Sequence, residues 1–203
     1  MEDWKMKGKP ALVILHMQES IAGSLASGPI AQEVKDSDHL PRQQALLKAF
    51  RDRNLPVIYV VFDQSKFPDW SVLGYGMMSK RPKSVFNTKM REVIPELAPR
   101  TEEPVLSNWI WGAFTNSGLE QELRSRGAGT LVFVGGALNI AVFNSTVQAS
   151  DLWYPVIVPE DACIPTKSAN KTPETMKVRE VFLEMLTRYA LVTNTQDVIA
   201  HLV

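Results

Sequence analysis

The side chains able to do chemistry fall at the carboxyl ends of short apolar runs. His16 closes Ala11-Leu-Val-Ile-Leu, and Asp63 closes Pro56-Val-Ile-Tyr-Val-Val-Phe. Asn108 follows Val105-Leu-Ser, the 135–141 turn follows Leu131-Val-Phe-Val, and Glu160-Asp161 follow Val156-Ile-Val-Pro. A neutral imidazole both donates and accepts, and a reference pKa of about 6.5 suits proton transfer near neutrality. The competing assignment for His16 is a structural imidazole, hydrogen-bonded where a strand ends. Asp63 is placed to orient the imidazole, as carboxylates often do for histidines. Asn108 hydrogen-bonds but carries no charge. Trp109 and Trp111 bracket Ile110, with Phe62, Trp70, Tyr75 and Phe114 as further aromatics. Such side chains offer flat apolar walls to a planar ligand, or equally fill a core or a subunit interface.

Apolar runs rich in Val and Ile read as strands at 11–16, 56–62, 104–107, 130–135, 155–159 and 190–193. Their continuous hydrophobicity suits strands buried on both faces. Helix-like segments fall at 40–53, 88–96, 116–126, 139–152, 173–188 and 195–202. The alternation predicts an α/β three-layer α/β/α sandwich with a mainly parallel sheet, in one domain over 1–203. In such a sheet ligands bind beyond the carboxyl ends of the strands, where the residues above stand. The irregular stretch 64–87 reads as a long loop of the kind that is often functional.

Composition narrows the function. The 203 residues carry 22 basic and 22 acidic side chains, so no net charge draws the chain to nucleic acid. No apolar run reaches the roughly 20 residues needed to span a bilayer. The one cysteine, Cys163, excludes an internal disulfide and suits a reducing compartment, and the polar start Met1-Glu-Asp-Trp-Lys is unlike a signal peptide, so a cytoplasmic location is expected. Nothing marks Cys163 as activated. His16, His39 and His201 lack metal-ligand spacing, and no phosphate-binding glycine loop is present, so neither metal nor cofactor is expected.

The run Gly135-Gly136-Ala137-Leu138-Asn139-Ile140-Ala141-Val142, with Thr146 and Ala149 following, resembles the nucleophile turn of the isochorismatase-like cysteine hydrolases, G-V-A-T-N-I-C-V then T-A-x-x-A. Ala11-Leu-Val-Ile-Leu-His-Met-Gln18 is similar to that family's first strand, A-L-L-V-I-D-M-Q. Glu103-Pro-Val-Leu-Ser-Asn-Trp-Ile-Trp-Gly-Ala-Phe114 resembles E-x-V-x-x-K-x-x-x-S-A-F, and Val156-Ile-Val-Pro-Glu-Asp-Ala162 the fifth strand. The likeness covers roughly residues 10–200.

What the resemblance implies is a small-molecule hydrolase fold with an altered centre. The family's Asp, Lys and Cys are matched by His16, Asn108 and Ala141. A methyl group has no nucleophilic atom, so no covalent acyl-enzyme is expected. The branch that hydrolyses isochorismate's vinyl ether works without the cysteine, which leaves activity open. The metal cluster of the nicotinamidase branch has no counterpart in Phe62-Asp63-Gln64-Ser65. A cis peptide is implied at Gly136–Ala137, with the 137–141 amides facing the pocket. Gln18, Asp63, Trp109, Trp111, Gly136 and Ala137 are the expected ligand contacts. Assembly as a dimer or tetramer is implied too, with Trp109, Trp111, Phe143 and Trp153 as apolar surface candidates. Two functions remain: an enzyme using His16 for proton transfer, or a catalytically inactive binding or assembly protein on the same fold.

Overall fold

The computed structural model describes residues 4–27, 29–66, 87–164 and 173–202. Six strands form one sheet: β1 (Lys9–Leu15), β2 (Val57–Phe62), β3 (Val105–Asn108), β4 (Ala128–Gly135), β5 (Val156–Pro159) and β6 (Leu191–Thr193). Their order is β3-β2-β1-β4-β5-β6, and every neighbouring pair runs parallel. The expected "mainly parallel" sheet is therefore wholly so.

The helices are α1 (Pro29–Asp36), α2 (His39–Asp52), α3 (Leu119–Ser125), α4 (Phe143–Asp151), α5 (Pro173–Leu186) and α6 (Thr195–Ala200). The period-2 alternation of β1 divides them between the two faces. Ala11, Val13 and Leu15 pack with Leu119 and Leu123 of α3, Ala149 of α4 and Leu186 of α5. Leu12 and Ile14 pack with Leu46, Leu47 and Phe50 of α2 and Val198 of α6. The central strands are thus apolar on both sides because both sides are covered, which gives the three layers. Among the described residues no helix is long and apolar enough to cross a membrane.

Two expected helices change character. The segment 88–96 forms two separate short turns, Thr88–Arg91 and Pro95–Leu97. Pro95 explains the break: it drives the preceding residue out of the helical region, and Ile94 has ψ 146. The segment 139–152 opens as a wide π turn, Leu138–Val142, before α4 begins at Phe143. Helix α1, eight residues long, was not among the helix-like segments expected from the sequence. Trp70, Tyr75 and most of the 64–87 loop lie outside the described residues.

Candidate active site

The strand order reverses between β1 and β4: β2 and β3 extend the sheet to one side, β5 and β6 to the other. A crevice at such a switch point is where open α/β sheets bind ligands. His16 and the Gly135–Gly136 turn terminate these two strands. They are stitched together by the Gly136 N–H, which donates to Leu15 O at 3.0 Å. Gly135 has φ +111, and a Cβ there would lie 2.2 Å from Leu15 O. A Cβ on Gly136 would lie 2.2 Å from Ile164 Cδ1. The two glycines therefore let β4 turn sharply against β1. The Gly136–Ala137 peptide is cis, as expected.

His16 leaves β1 with φ +54, in the left-handed region where histidine is tolerated better than bulky or β-branched residues. Its N–H donates to Val60 O at 2.8 Å, so the backbone is held to β2 while the ring is redirected. The ring lies 5.6 Å from that of Phe62 and is 2% exposed. Asn108, paired with Phe62 in the β2–β3 register, is fully buried. Its Nδ2 donates to Gly112 O at 2.9 Å, which fixes the carboxamide with Oδ1 free. His16 Nε2 and Asn108 Oδ1 are both buried, and neither has a hydrogen-bond partner of good geometry. They are complementary, a ring N–H and an amide oxygen. Burial pushes the imidazole pKa down from 6.5 to about 4, and the facing Asn108 offsets this only in part. His16 is therefore neutral near pH 7, and the expected ionisation in the neutral range is displaced into the acid range.

The pairing expected between His16 and Asp63 is not formed. Asp63 Oδ2 accepts from Arg91 Nη1 at 2.7 Å, and Oδ1 accepts from Ser65 Oγ at 2.6 Å and Ser65 N at 3.1 Å. Burial raises the Asp63 pKa, but these hydrogen bonds and the Arg91 charge outweigh it, and the carboxyl stays below its ordinary value. A carboxylate prefers this guanidinium and hydroxyl to a buried neutral ring. Gln18, an expected ligand contact, also turns inward. Its Nε2 donates to Phe62 O at 2.9 Å, Met90 O at 3.0 Å and Ser20 Oγ at 3.0 Å, and its Oε1 accepts from Phe62 N at 2.5 Å. Gln18 clamps β2 to the 88–91 turn.

Trp109 and Trp111 are half-buried, and Trp111 stacks on Phe62 with centroids 5.3 Å apart at 17°. Ala141 is 1% exposed and packs in the α3–α4–α5 core beside Leu138 and Leu15. Two of the 137–141 amides, expected to face the pocket, are taken up within the chain. Leu138 N–H donates to Ile164 O at 3.0 Å and Ile140 N–H to Ala137 O at 3.1 Å. Cys163 is no substitute nucleophile: it is buried, and desolvation raises its thiol pKa far above the ordinary value. Arg91 and Lys66, which surround Asp63, were not singled out in the sequence. Lys66 had a signal in its i+3 spacing from Asp63. Arg91 had none, because a long excursion separates it from β2.

Residues 10–197 match the isochorismatase domain, and the chain belongs to the isochorismatase family. It is 32% identical over 162 residues to the isochorismatase family protein YecD of Escherichia coli O157:H7, covering 75% of this chain and 78% of YecD. It is 27% identical over 122 residues to the secreted isochorismatase effector Isc1 of Verticillium dahliae, covering 60% of this chain and 57% of the effector, little more than half of that protein. Among solved structures, N-carbamoylsarcosine amidase from Thermoplasma acidophilum superposes with a TM-score of 0.66 at 27% identity, covering 92% of this chain and 96% of that one.

Proposed function

We propose that this chain is a small-molecule hydrolase-like enzyme that works in the family's pocket without a covalent acyl-enzyme. In this reading His16, Asn108 and Ala141 stand where the family's acid, lysine and cysteine stand. The observation that carries it is the buried, neutral His16–Asn108 pair at the switch point between β1 and β4. Two complementary polar atoms left without good partners in an apolar surround are costly, and such groups concentrate where a ligand completes them. A resting imidazole with a pKa of about 4 is a proton acceptor, not a donor. With the Nε2–H facing Asn108 Oδ1, the basic nitrogen is Nδ1, and the role assigned to His16 is general base, through Nδ1, toward a water molecule that attacks the substrate. The proton passes to the ring and then to the leaving group. Support for hydrolysis as the reaction class comes from the fold shared with an amidase.

A second reading, binding without turnover, draws on how closed the same centre is: His16 is 2%, Asn108 0% and Ala141 1% exposed. The two are separated by assaying carboxylated amides, esters and vinyl ethers with the wild type and His16→Asn. Turnover lowered about 100-fold or more in the variant supports the base. Saturable binding with no turnover of any of them supports the second reading. Either way the chain is taken as one domain of a reducing compartment that self-associates as a dimer or tetramer. Trp153, 92% exposed after α4, is an apolar contact available to a second copy.

A further inference from the structure

We propose that the protein has a second, closed polar site, which takes a small species able to donate two hydrogen bonds, water or ammonium, between His39 Nε2 and Gln43 Oε1. The site lies on the α2–α6 face of the sheet, away from α3, α4 and α5, and it stands apart from the hydrolase reading. His39 and Gln43 fall one turn apart and head the buried stripe that Leu46, Leu47 and Phe50 continue along α2. They are 2% and 0% exposed, yet neither His39 Nε2 nor Gln43 Oε1 has a hydrogen-bond partner among the described residues. Buried polar atoms of this kind call for a partner.

The direction of each neighbouring hydrogen bond fixes what that partner is. Ser37 has one hydroxyl hydrogen, and Ser37 Oγ donates it to Glu33 O at 2.6 Å. Ser37 Oγ also lies 2.6 Å from His39 Nδ1, so there it accepts, and Nδ1 carries the ring hydrogen. His39 Nε2 is thus a bare lone pair on a ring that burial keeps neutral, with its pKa pushed down to about 4. Gln43 Nε2 donates to Ala162 O at 2.7 Å, which fixes the carboxamide and leaves Oε1 as an acceptor. Two acceptors cannot satisfy each other, unlike His16 and Asn108. Side chains one helical turn apart start about 5–6 Å apart at Cβ, and one atom about 2.9 Å from each acceptor spans such a gap. Two polar partners are also the least that a buried water requires. Asp38 and Asp161, next to His39 and Ala162 in the chain, are both paired with Arg42, which favours an uncharged donor over ammonium. The anchor at Ala162 continues to the strand-end turn. Ile164 N–H donates to Gly135 O at 2.8 Å, and Leu138 N–H donates to Ile164 O at 3.0 Å. The site therefore braces the segment that backs this turn.

The test is NMR on the whole protein near pH 7. Long-range 1H–15N correlation of the His39 ring should show hydrogen on Nδ1 and none on Nε2. Hydrogen on Nε2 would mean a direct bond to Gln43 and would overturn the proposal. A nuclear Overhauser contact between the His39 ring and a long-lived water identifies water. A shift of Nε2 that saturates with ammonium chloride, but not with sodium chloride at equal ionic strength, identifies ammonium. Absence of both signals overturns the proposal, and these measurements need only the wild type. His39→Phe and Gln43→Met should each raise the unfolding equilibrium constant about tenfold. The double variant should fall well short of the product, about a hundredfold, because the shared donor is lost only once. A full product would show two independent groups and overturn the site. Unchanged amide exchange at Ile164 and Leu138 in Gln43→Met would overturn the bracing role.

Discussion

Replacing His16 with Asn should remove one defined part of the protein's acid lability, and the size of the effect follows from burial. In the fold the imidazole pKa falls from 6.5 to about 4. An unfolded chain therefore takes up a proton below pH 6.5 that the folded chain refuses. The contribution of His16 to stability is complete above that pH and is lost as pH falls toward 4. Each pH unit in this window removes about 1.4 kcal/mol, so the loss is about 2 kcal/mol near pH 5 and about 3 kcal/mol in full. Urea unfolding of the wild type and His16→Asn near pH 7.5 and near pH 5 measures this directly. His39, also held near 4 by burial, titrates in both proteins and cancels, as do the carboxylates. The variant is expected to lose about 2 kcal/mol less than the wild type between the two pH values. Equal losses would show that His16 is solvated or charged in the fold, and the neutral-pair argument would fail.

Glu103 receives Arg51 through two hydrogen bonds of 2.8 and 2.6 Å with its carboxylate 7% exposed, so Glu103→Gln should destabilise by about 3 kcal/mol in chemical denaturation. Gly135→Ala meets both a φ of +111 and a contact with Leu15 O, and a loss of about 3 kcal/mol or more is expected in the same assay. Ala141→Cys should not restore acyl-enzyme chemistry, because burial opposes thiolate formation and the residues standing for the family's acid and lysine, His16 and Asn108, are uncharged near pH 7. Mass spectrometry of the 131–146 peptide after incubation with amide substrates should show no adduct. Self-association should appear in light scattering, and Trp153→Glu should weaken it if that face is the contact.

The strands were legible because each is a continuous apolar run, and their ends, which carry His16, Asp63, Asn108 and Gly135–Gly136, were legible with them. The sheet order was not read from those runs, since it depends on how the crossovers pack. Two polar partnerships escaped for the same reason. Asp63 stands beside His16 in strand order, yet Arg91 and Ser65 hold it. Gln18 was expected at the ligand, yet it hydrogen-bonds the backbone of Phe62 and Met90 and the hydroxyl of Ser20. Which partner a buried polar group chooses depends on tertiary neighbours that spacing along the chain does not encode. The displaced His16 pKa is a further case, because desolvation is a property of the packed core.

The central claim, a neutral imidazole acting as base in a pocket without a nucleophile, is tested most directly by the pH dependence of turnover of one carboxylated substrate by the wild type and His16→Asn. The wild-type rate is expected to stay level from about pH 8 down to about pH 5 and then fall with a single ionisation near 4, with His16→Asn slower by about 100-fold throughout the level region. A variant that works at nearly the wild-type rate, or a wild-type profile that breaks near neutrality, would contradict it.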